Sequence, residues 1–250
     1  MIRHLSKKVK KFWAGIALLS VEMTVVLSIF VVALLAFAYL VRRVFVLQNN
    51  AFDQKVFDYL QQYVTPFNNK LMLGITFLGK HEFLIPANLL LIAYFLFVKK
   101  HKWYSIRVPA IALSSLALMF LLKNLFGRER PIIPLLQSAK GLSFPSGHAL
   151  MSMTFYGLLI FIAWHSVKNS RLKWTLITFL FFLILLIGFS RIYLRVHYTS
   201  DVLAGLAMGW LWIVISLKVI RRIEKASKKN IDPVVQQPPE LGAGTASPRA

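Results

Sequence analysis

Trp174 to Asp201 reads WTLITFLFFLILLIGFSRIYLRVHYTSD, and this stretch decides the architecture. From Trp174 to Ser190 it carries no charge. As a helix it is long enough to cross a bilayer core, which takes roughly 17 to 25 apolar residues. Its apolar residues run continuously instead of alternating, which argues against a barrel strand. The polar block that follows, Ser190-Arg191 through His197 to Asp201, is short enough to be a turn leading into the next apolar run.

Five more charge-free runs lie outward from this one: Met23 to Val41, Phe83 to Val98, Val108 to Leu122, Ala149 to Val167 and Val202 to Leu217. The chain is therefore expected to be all-α, a polytopic membrane protein with six transmembrane helices over residues 23–220. A basic segment, 1–22, precedes the helices. A tail, 221–250, is basic at first and is expected to be disordered from Ile231, where apolar residues run out and Pro238-Pro239 appears. The basic start followed by Ala36-Phe37-Ala38 looks like a signal peptide with its cleavage site. The apolar length running back to Phe12 favours an uncleaved anchor.

Composition agrees with a membrane chain: 57% hydrophobic residues, 16% charged and a mean hydropathy of +0.63. A formal charge of +21 on a soluble protein would suggest nucleic acid. Here the cations fall between apolar runs, where they set topology, and nucleic-acid binding is a poor reading of them. With no cysteine, there is no disulfide, thiolate metal site or Cys nucleophile. Chemistry must come from His, Ser, Lys, Arg and the nine carboxylates.

Six helices place both termini on one side, together with the loops after the second and fourth helices. That side holds nearly twice as many Lys and Arg as the other, so the termini are expected to be cytoplasmic and the loops after helices one, three and five extracytoplasmic. In the first of these loops Phe52, Val56, Tyr59, Leu60 and Tyr63 repeat at helical spacing opposite Asp53, Lys55, Asp58 and Gln62, until Pro66 ends the pattern. This predicts an amphipathic helix within 48–66 lying in the outer interface, either as a connector or as a guide for lipid.

Ionisable residues at membrane depth are functional candidates by default, and three blocks at the outer helix ends supply them. Lys123 and Arg130 can converge on a phosphate, although in isolation membrane snorkelling is the commoner reason for such cations at helix ends. Their neighbours Arg128 and Glu129 read as a local ion pair without a role. Pro145-Ser146-Gly147-His148 precedes an apolar helix, whose first N–H groups suit an anion; an ordinary helix start capped by Ser146 is the alternative. His197 and Asp201, four apart, share a helical face, and Arg191 lies across the turn. A carboxylate bonded to one imidazole nitrogen leaves the other free as nucleophile or base.

Together the blocks resemble the three-part signature of the type 2 phosphatidic acid phosphatase (PAP2) superfamily. All eleven fixed positions, from Lys123, Arg130 and Pro131 through Pro145 to His148, then Ser190, Arg191, His197 and Asp201, occur in order. The resemblance implies a metal-independent phosphatase with no cofactor, working through a phosphohistidine. His197 would attack phosphorus, Asp201 would orient it, and His148 would protonate the leaving oxygen. Lys123, Arg130, Ser146, the Gly147 N–H and Arg191 would hold the phosphoryl oxygens.

A membrane-embedded site points to a lipid phosphate or diphosphate substrate at the extracytoplasmic face of the cell (inner or plasma) membrane, with membrane lipids as the surrounding partners. Undecaprenyl diphosphate, phosphatidylglycerophosphate, phosphatidic acid and lipid A are all compatible. Spare cations at Arg128, Lys140 and Arg195 favour a multiply charged headgroup. The alternatives are a phosphotransferase sharing the intermediate and, remotely, a non-catalytic transporter or assembly protein. Lys80-His81-Glu82 reads as an interfacial helix start or a headgroup contact. Gly205 and Gly209 form a GxxxG pattern that close packing around Asp201 or dimerisation can explain. His4, His101 and His165 fall on the cytoplasmic side, apart from the outward histidines.

Overall fold

The computed structural model describes residues 21–136 and 140–230; the basic start and the tail beyond Asn230 lie outside them. All regular structure among the described residues is helical. The helices are α1 (Val21–Val41), α2 (Ala51–Gln61), α3 (Pro66–Phe77), α4 (His81–Ala93), α5 (Lys102–Phe126), α6 (Gly147–Ser166), α7 (Ser170–Tyr193) and α8 (Thr199–Asn230). π-helical turns extend α1 through Val46 and α4 through Val98. Six stretches are long and apolar enough to cross a membrane, matching the six expected runs and making this a multi-pass membrane protein. Large side chains such as Leu90, Phe97, Leu113 and Leu125 are exposed on the outside of the bundle. In lipid that exposure costs nothing, whereas in water it would drive aggregation.

α6 is the hub, packed on α5, α7 and α8, with α1 against the outside of α8. Leu158 of α6 meets Val108, Ile111 and Ile213 in one cluster, and Phe155 and Tyr156 meet Leu84, Ile184 and Ile187 in another. At the end carrying the sequence motifs, Phe144 is fully buried among Phe37, Phe45 and Phe126. This anchors the loop before α6.

The second run differs from the expectation in a useful way. Pro66 ends the preceding pattern by starting a new helix, with Thr65 Oγ1 accepting the Asn68 N–H as its cap. α3 stays at the motif end, since Asn69 accepts from Tyr193 and Thr76 from Arg191, both in the last turn of α7. Lys80 then begins α4, which makes the crossing. Lys80-His81-Glu82 is thus a helix start.

The GxxxG pair is used within the chain. A Cβ on Gly205 would lie 2.6 Å from the Ser146 carbonyl oxygen, and one on Gly209 would lie 2.9 Å from the Leu150 carbonyl oxygen. Both are backbone oxygens, one on the residue that caps α6 and one in its first turn, and cannot rotate away. Gly205→Ala is therefore expected to push the start of α6 off α8 and cut phosphatase activity by tenfold or more, on the order of the loss from a 1 Å misplacement. An activity assay on the purified variant checks this; wild-type turnover would mean that α6 tolerates the shift.

Candidate active site

α5 ends at Phe126 because Gly127 adopts a left-handed conformation, φ 60°, with its N–H on the Lys123 carbonyl. The chain then doubles back across the motif end, and the expected phosphate-binding cations hold that loop. Lys123 Nζ donates to the Leu142 carbonyl at 2.5 Å, while Arg130 donates from Nε to Gly141 at 2.9 Å and from Nη1 to Val196 at 2.7 Å. Snorkelling cations would point outward to water; these two turn inward. Their remaining N–H groups are left for a ligand.

Ser146 precedes α6, and its N–H is held by the Asp201 carbonyl at 2.9 Å. Its side chain makes no cap bond, and Oγ is buried without a partner. Gly147 opens the helix, so its N–H has no carbonyl one turn back. A Cβ there would lie 2.6 Å from Met119 Sδ and 3.9 Å from Lys123 Cε, so glycine also lets α5 approach. His148 follows, with Nε2 buried and unpartnered and with Arg191, His197, Lys80 and Arg130 within electrostatic reach. Arg191 Nη1 donates to Thr76 Oγ1 at 2.7 Å, and its Nε is likewise buried without a partner. Three of the eight residues singled out in the sequence therefore hold buried polar atoms with no protein partner, sites where water or a ligand is ordinarily bound.

His197 lies in the turn between α7 and α8, 1% exposed, with Nε2 3.2 Å from Arg130 Nη1. A guanidinium can only donate, so Nε2 carries the lone pair and the ring proton is on Nδ1. Nδ1 faces Asp201 Oδ2 at 3.6 Å, beyond hydrogen-bond range, and Ser143 Oγ at 3.3 Å. Ser143 Oγ also donates to Asp201 Oδ2, bridging the pair. The direct imidazole–carboxylate bond expected from the i,i+4 spacing is thus relayed through a serine that carries no sequence signal.

Arg128 overturns its sequence reading. It is paired not with Glu129 but with Asp201 Oδ1 at 2.5 Å, Ser200 Oγ at 2.7 Å, Asn50 Oδ1 at 2.8 Å and Asp53 Oδ2 at 3.1 Å, and it stacks 4.0 Å from the Tyr198 ring centroid. It is no spare cation. Neither is Arg195, which donates to the Phe57 carbonyl at 3.3 Å and to Gln61 Oε1 at 3.2 Å. Lys140 is exposed.

Asp53, assigned to the polar face of the interfacial helix, is 2% exposed and shares its face with Phe57 and Leu60. Its carboxylate takes the Ser200 N–H at 2.8 Å and the Ser200 hydroxyl at 2.7 Å. α2 therefore clamps the start of α8. Phe52, Tyr59 and Tyr63 remain on its exposed side.

Burial pushes the His197 imidazole down to about 4, with the Asp201 carboxylate opposing and Arg130 and Arg191 reinforcing. If His197 attacks phosphorus, as the sequence motif implies, it must be neutral to do so, and kcat/KM is then expected to hold as pH falls to about 4 and to drop below it. Asp201→Asn removes a group that favours the imidazolium and should move this acid limb lower; Arg130→Gln removes a cation and should move it higher. A pH–rate series on the three proteins checks this, and a limb fixed near the ordinary histidine value would contradict it.

Among the described residues no three His, Asp or Glu side chains converge as a metal site. The PAP2 superfamily model matches residues 104–225, which take in every block of the site. Phosphatidylglycerophosphatase B of Bacillus subtilis (strain 168) is 30% identical over 165 residues, 66% of this chain and 81% of that protein. The putative undecaprenyl-diphosphatase YbjG of Escherichia coli (strain K12) is 32% identical over 129 residues, 46% of this chain and 61% of that protein. The crystal structure of a transmembrane PAP2-type phosphatidylglycerolphosphate phosphatase from Bacillus subtilis superposes with a TM-score of 0.68 at 27% identity, covering 79% of this chain and 96% of that one. The crystal structure of Aquifex aeolicus LpxE gives 0.53 at 29% identity, over 66% and 94%. Agreement on that scale, with the motif blocks brought together at one end of the bundle, means that the chain belongs to the PAP2 superfamily as a PAP2-type membrane lipid phosphatase.

Proposed function

We propose that the protein hydrolyses a lipid phosphomonoester or diphosphate headgroup through a phosphohistidine on His197 Nε2, at the extracytoplasmic membrane face and without a metal. The observation that carries this is the lone pair on Nε2, fixed by Arg130 at 3.2 Å and aimed into a cluster of cations. Nε2 attacks phosphorus, and the P–O bond to the lipid breaks as His148 gives its proton to the leaving oxygen. His148 then takes a proton from water, which attacks phosphorus and breaks the P–N bond, releasing phosphate and neutral His197.

Lys123, Arg130, Arg191, Ser146 and the Gly147 N–H neutralise the charge that builds on the equatorial oxygens. Arg128, Asp53 and Ser143 position Asp201 behind the nucleophile. The similarity to phosphatidylglycerophosphatase B and to the putative undecaprenyl-diphosphatase supports an anionic glycerolipid phosphate or a polyprenyl diphosphate as substrate. The larger share of Lys and Arg on the opposite side supports cytoplasmic termini.

The test is rapid-quench labelling with a lipid carrying radioactive phosphate. The wild type should acquire an acid-labile, base-stable protein label in the presence of EDTA, and vanadate should block it. A strict magnesium requirement, or label on a residue other than His197, would sink the mechanism. Because the chain has no cysteine, a single cysteine at exposed Lys140 reports the face. A membrane-impermeant maleimide should label it in intact cells; labelling only after lysis would reverse the orientation.

A further inference from the structure

At the end of the bundle opposite the motifs, α5, α6 and α8 line an open cavity of about 330 Å³. The first turns of α5 form one wall with His101, Tyr104 and Arg107, and Phe161 closes the α6 side. Arg221, Lys225 and Lys228 face it from α8. Among the described residues the only carboxylate lining it is Glu224, already occupied by Arg107 and, at 2.9 Å, by Lys228.

Cations that merely set topology lie exposed and reach water, as Lys99, Lys100 and Arg222 do here, and Arg221, Lys225 and Lys228 of the lining lie exposed as well. Arg107 does not. It is 7% exposed, it stacks on the Tyr104 ring at 4.7 Å, and its Nε is buried with no partner. Glu224 and Tyr104 hold the guanidinium in place, which makes a fixed N–H donor group part of the cavity wall. His101 adds another, because its Nδ1 accepts the Tyr104 N–H at 3.4 Å and leaves the proton of the neutral ring to Nε2. His165, also in the lining, spends its Nδ1–H on the Phe161 carbonyl and offers an acceptor at Nε2, yet with Arg107, Arg221, Lys225 and Lys228 against Glu224 the lining remains net positive. The volume is that of a ligand site, at the depth where basic pockets between membrane helices take anionic headgroups.

We propose that this cavity is a second anion site, which binds the phosphate of an anionic phospholipid headgroup in the leaflet opposite the catalytic centre. Arg107, Arg221 and Lys225 would hold the phosphate oxygens.

The test uses the purified full chain in neutral detergent, with native mass spectrometry to count retained phosphatidylglycerol and a thermal-unfolding arm with inorganic phosphate. Arg221→Glu with Lys225→Glu should lower phosphatidylglycerol retention by about tenfold or more, as expected from reversing two contact charges. Lys218→Glu with Arg222→Glu makes the same charge change on exposed α8 residues outside the lining and should leave retention within about twofold. Circular dichroism confirms that both variants keep their helices. Equal loss in both pairs would reduce the effect to general surface charge and overturn the site, as would unchanged retention in the first pair. Stabilisation by inorganic phosphate alone, lost in the first pair and not matched by phosphatidylglycerol, would keep the anion site and replace the lipid with a soluble phosphate.

Discussion

His197→Ala is expected to abolish turnover, with a loss on the order of 10⁴-fold or more, because removal of a covalent nucleophile leaves only binding and charge stabilisation. The site offers no substitute. His148 is the other histidine here, and its Nε2 has neither a positioning guanidinium nor a carboxylate behind it. The radioactive label should vanish together with turnover. His148→Ala should behave differently, slowing turnover by about 10² to 10⁴-fold, as loss of a general acid and base does, while the label persists because water is no longer activated. Comparing turnover and label in the two variants checks the assignment. Label retained in His197→Ala would exchange the two roles.

Arg128→Ala is expected to destabilise the fold by about 3 to 5 kcal/mol, the cost of leaving buried charges unpaired. Two carboxylates lose their cation at once, since Asp53 and Asp201 are 2% and 0% exposed and both bond the same guanidinium. Activity should fall further than stability, because Asp201 is also the group that Ser143 ties to His197. Lysine cannot reproduce a fork that reaches Asn50, Asp53, Ser200 and Asp201, so Arg128→Lys should recover only part of the loss. Asp53→Asn in the Arg128→Ala background removes one unpaired charge and should raise the unfolding midpoint again. Exposed Glu129→Ala should leave it unchanged within about 0.5 kcal/mol. Thermal unfolding in detergent with a parallel activity assay reads all four variants. Equal effects at Glu129 and Arg128 would restore the local pair expected from adjacency.

Six spans, and the motif residues that the bundle gathers at one end, were legible along the chain because both depend on local rules. A bilayer selects long apolar runs whatever surrounds them. The motif residues sit at helix ends, where charge in a membrane chain stands out. Arg128 was hidden for the opposite reason. Its partners Asn50, Asp53 and Asp201 lie far away in sequence, and next to Glu129 it looked self-satisfied. Asp53 was misplaced because amphipathicity sorts residues by polarity, and a carboxylate was put on the wet face. Its spacing to Phe57 and Leu60 puts it on the buried one, and in a chain with only nine carboxylates that spacing was a usable signal. Ser143 and Thr76 carried none, since a buried serine or threonine is unremarkable until a partner across the bundle is known.

By itself, therefore, the sequence determined the membrane-spanning helical class, the family and which polar residues gather at one end of the bundle, because spacing and hydropathy act within one helix or turn. Only the tertiary structure decided how these residues are held: which nitrogen of His197 is free, what bridges it to Asp201, and that α2 clamps the site through Asp53 and Arg128. Those answers rest on hydrogen bonds between helices distant in the chain. Their directions are set by how the bundle packs, which no local pattern encodes.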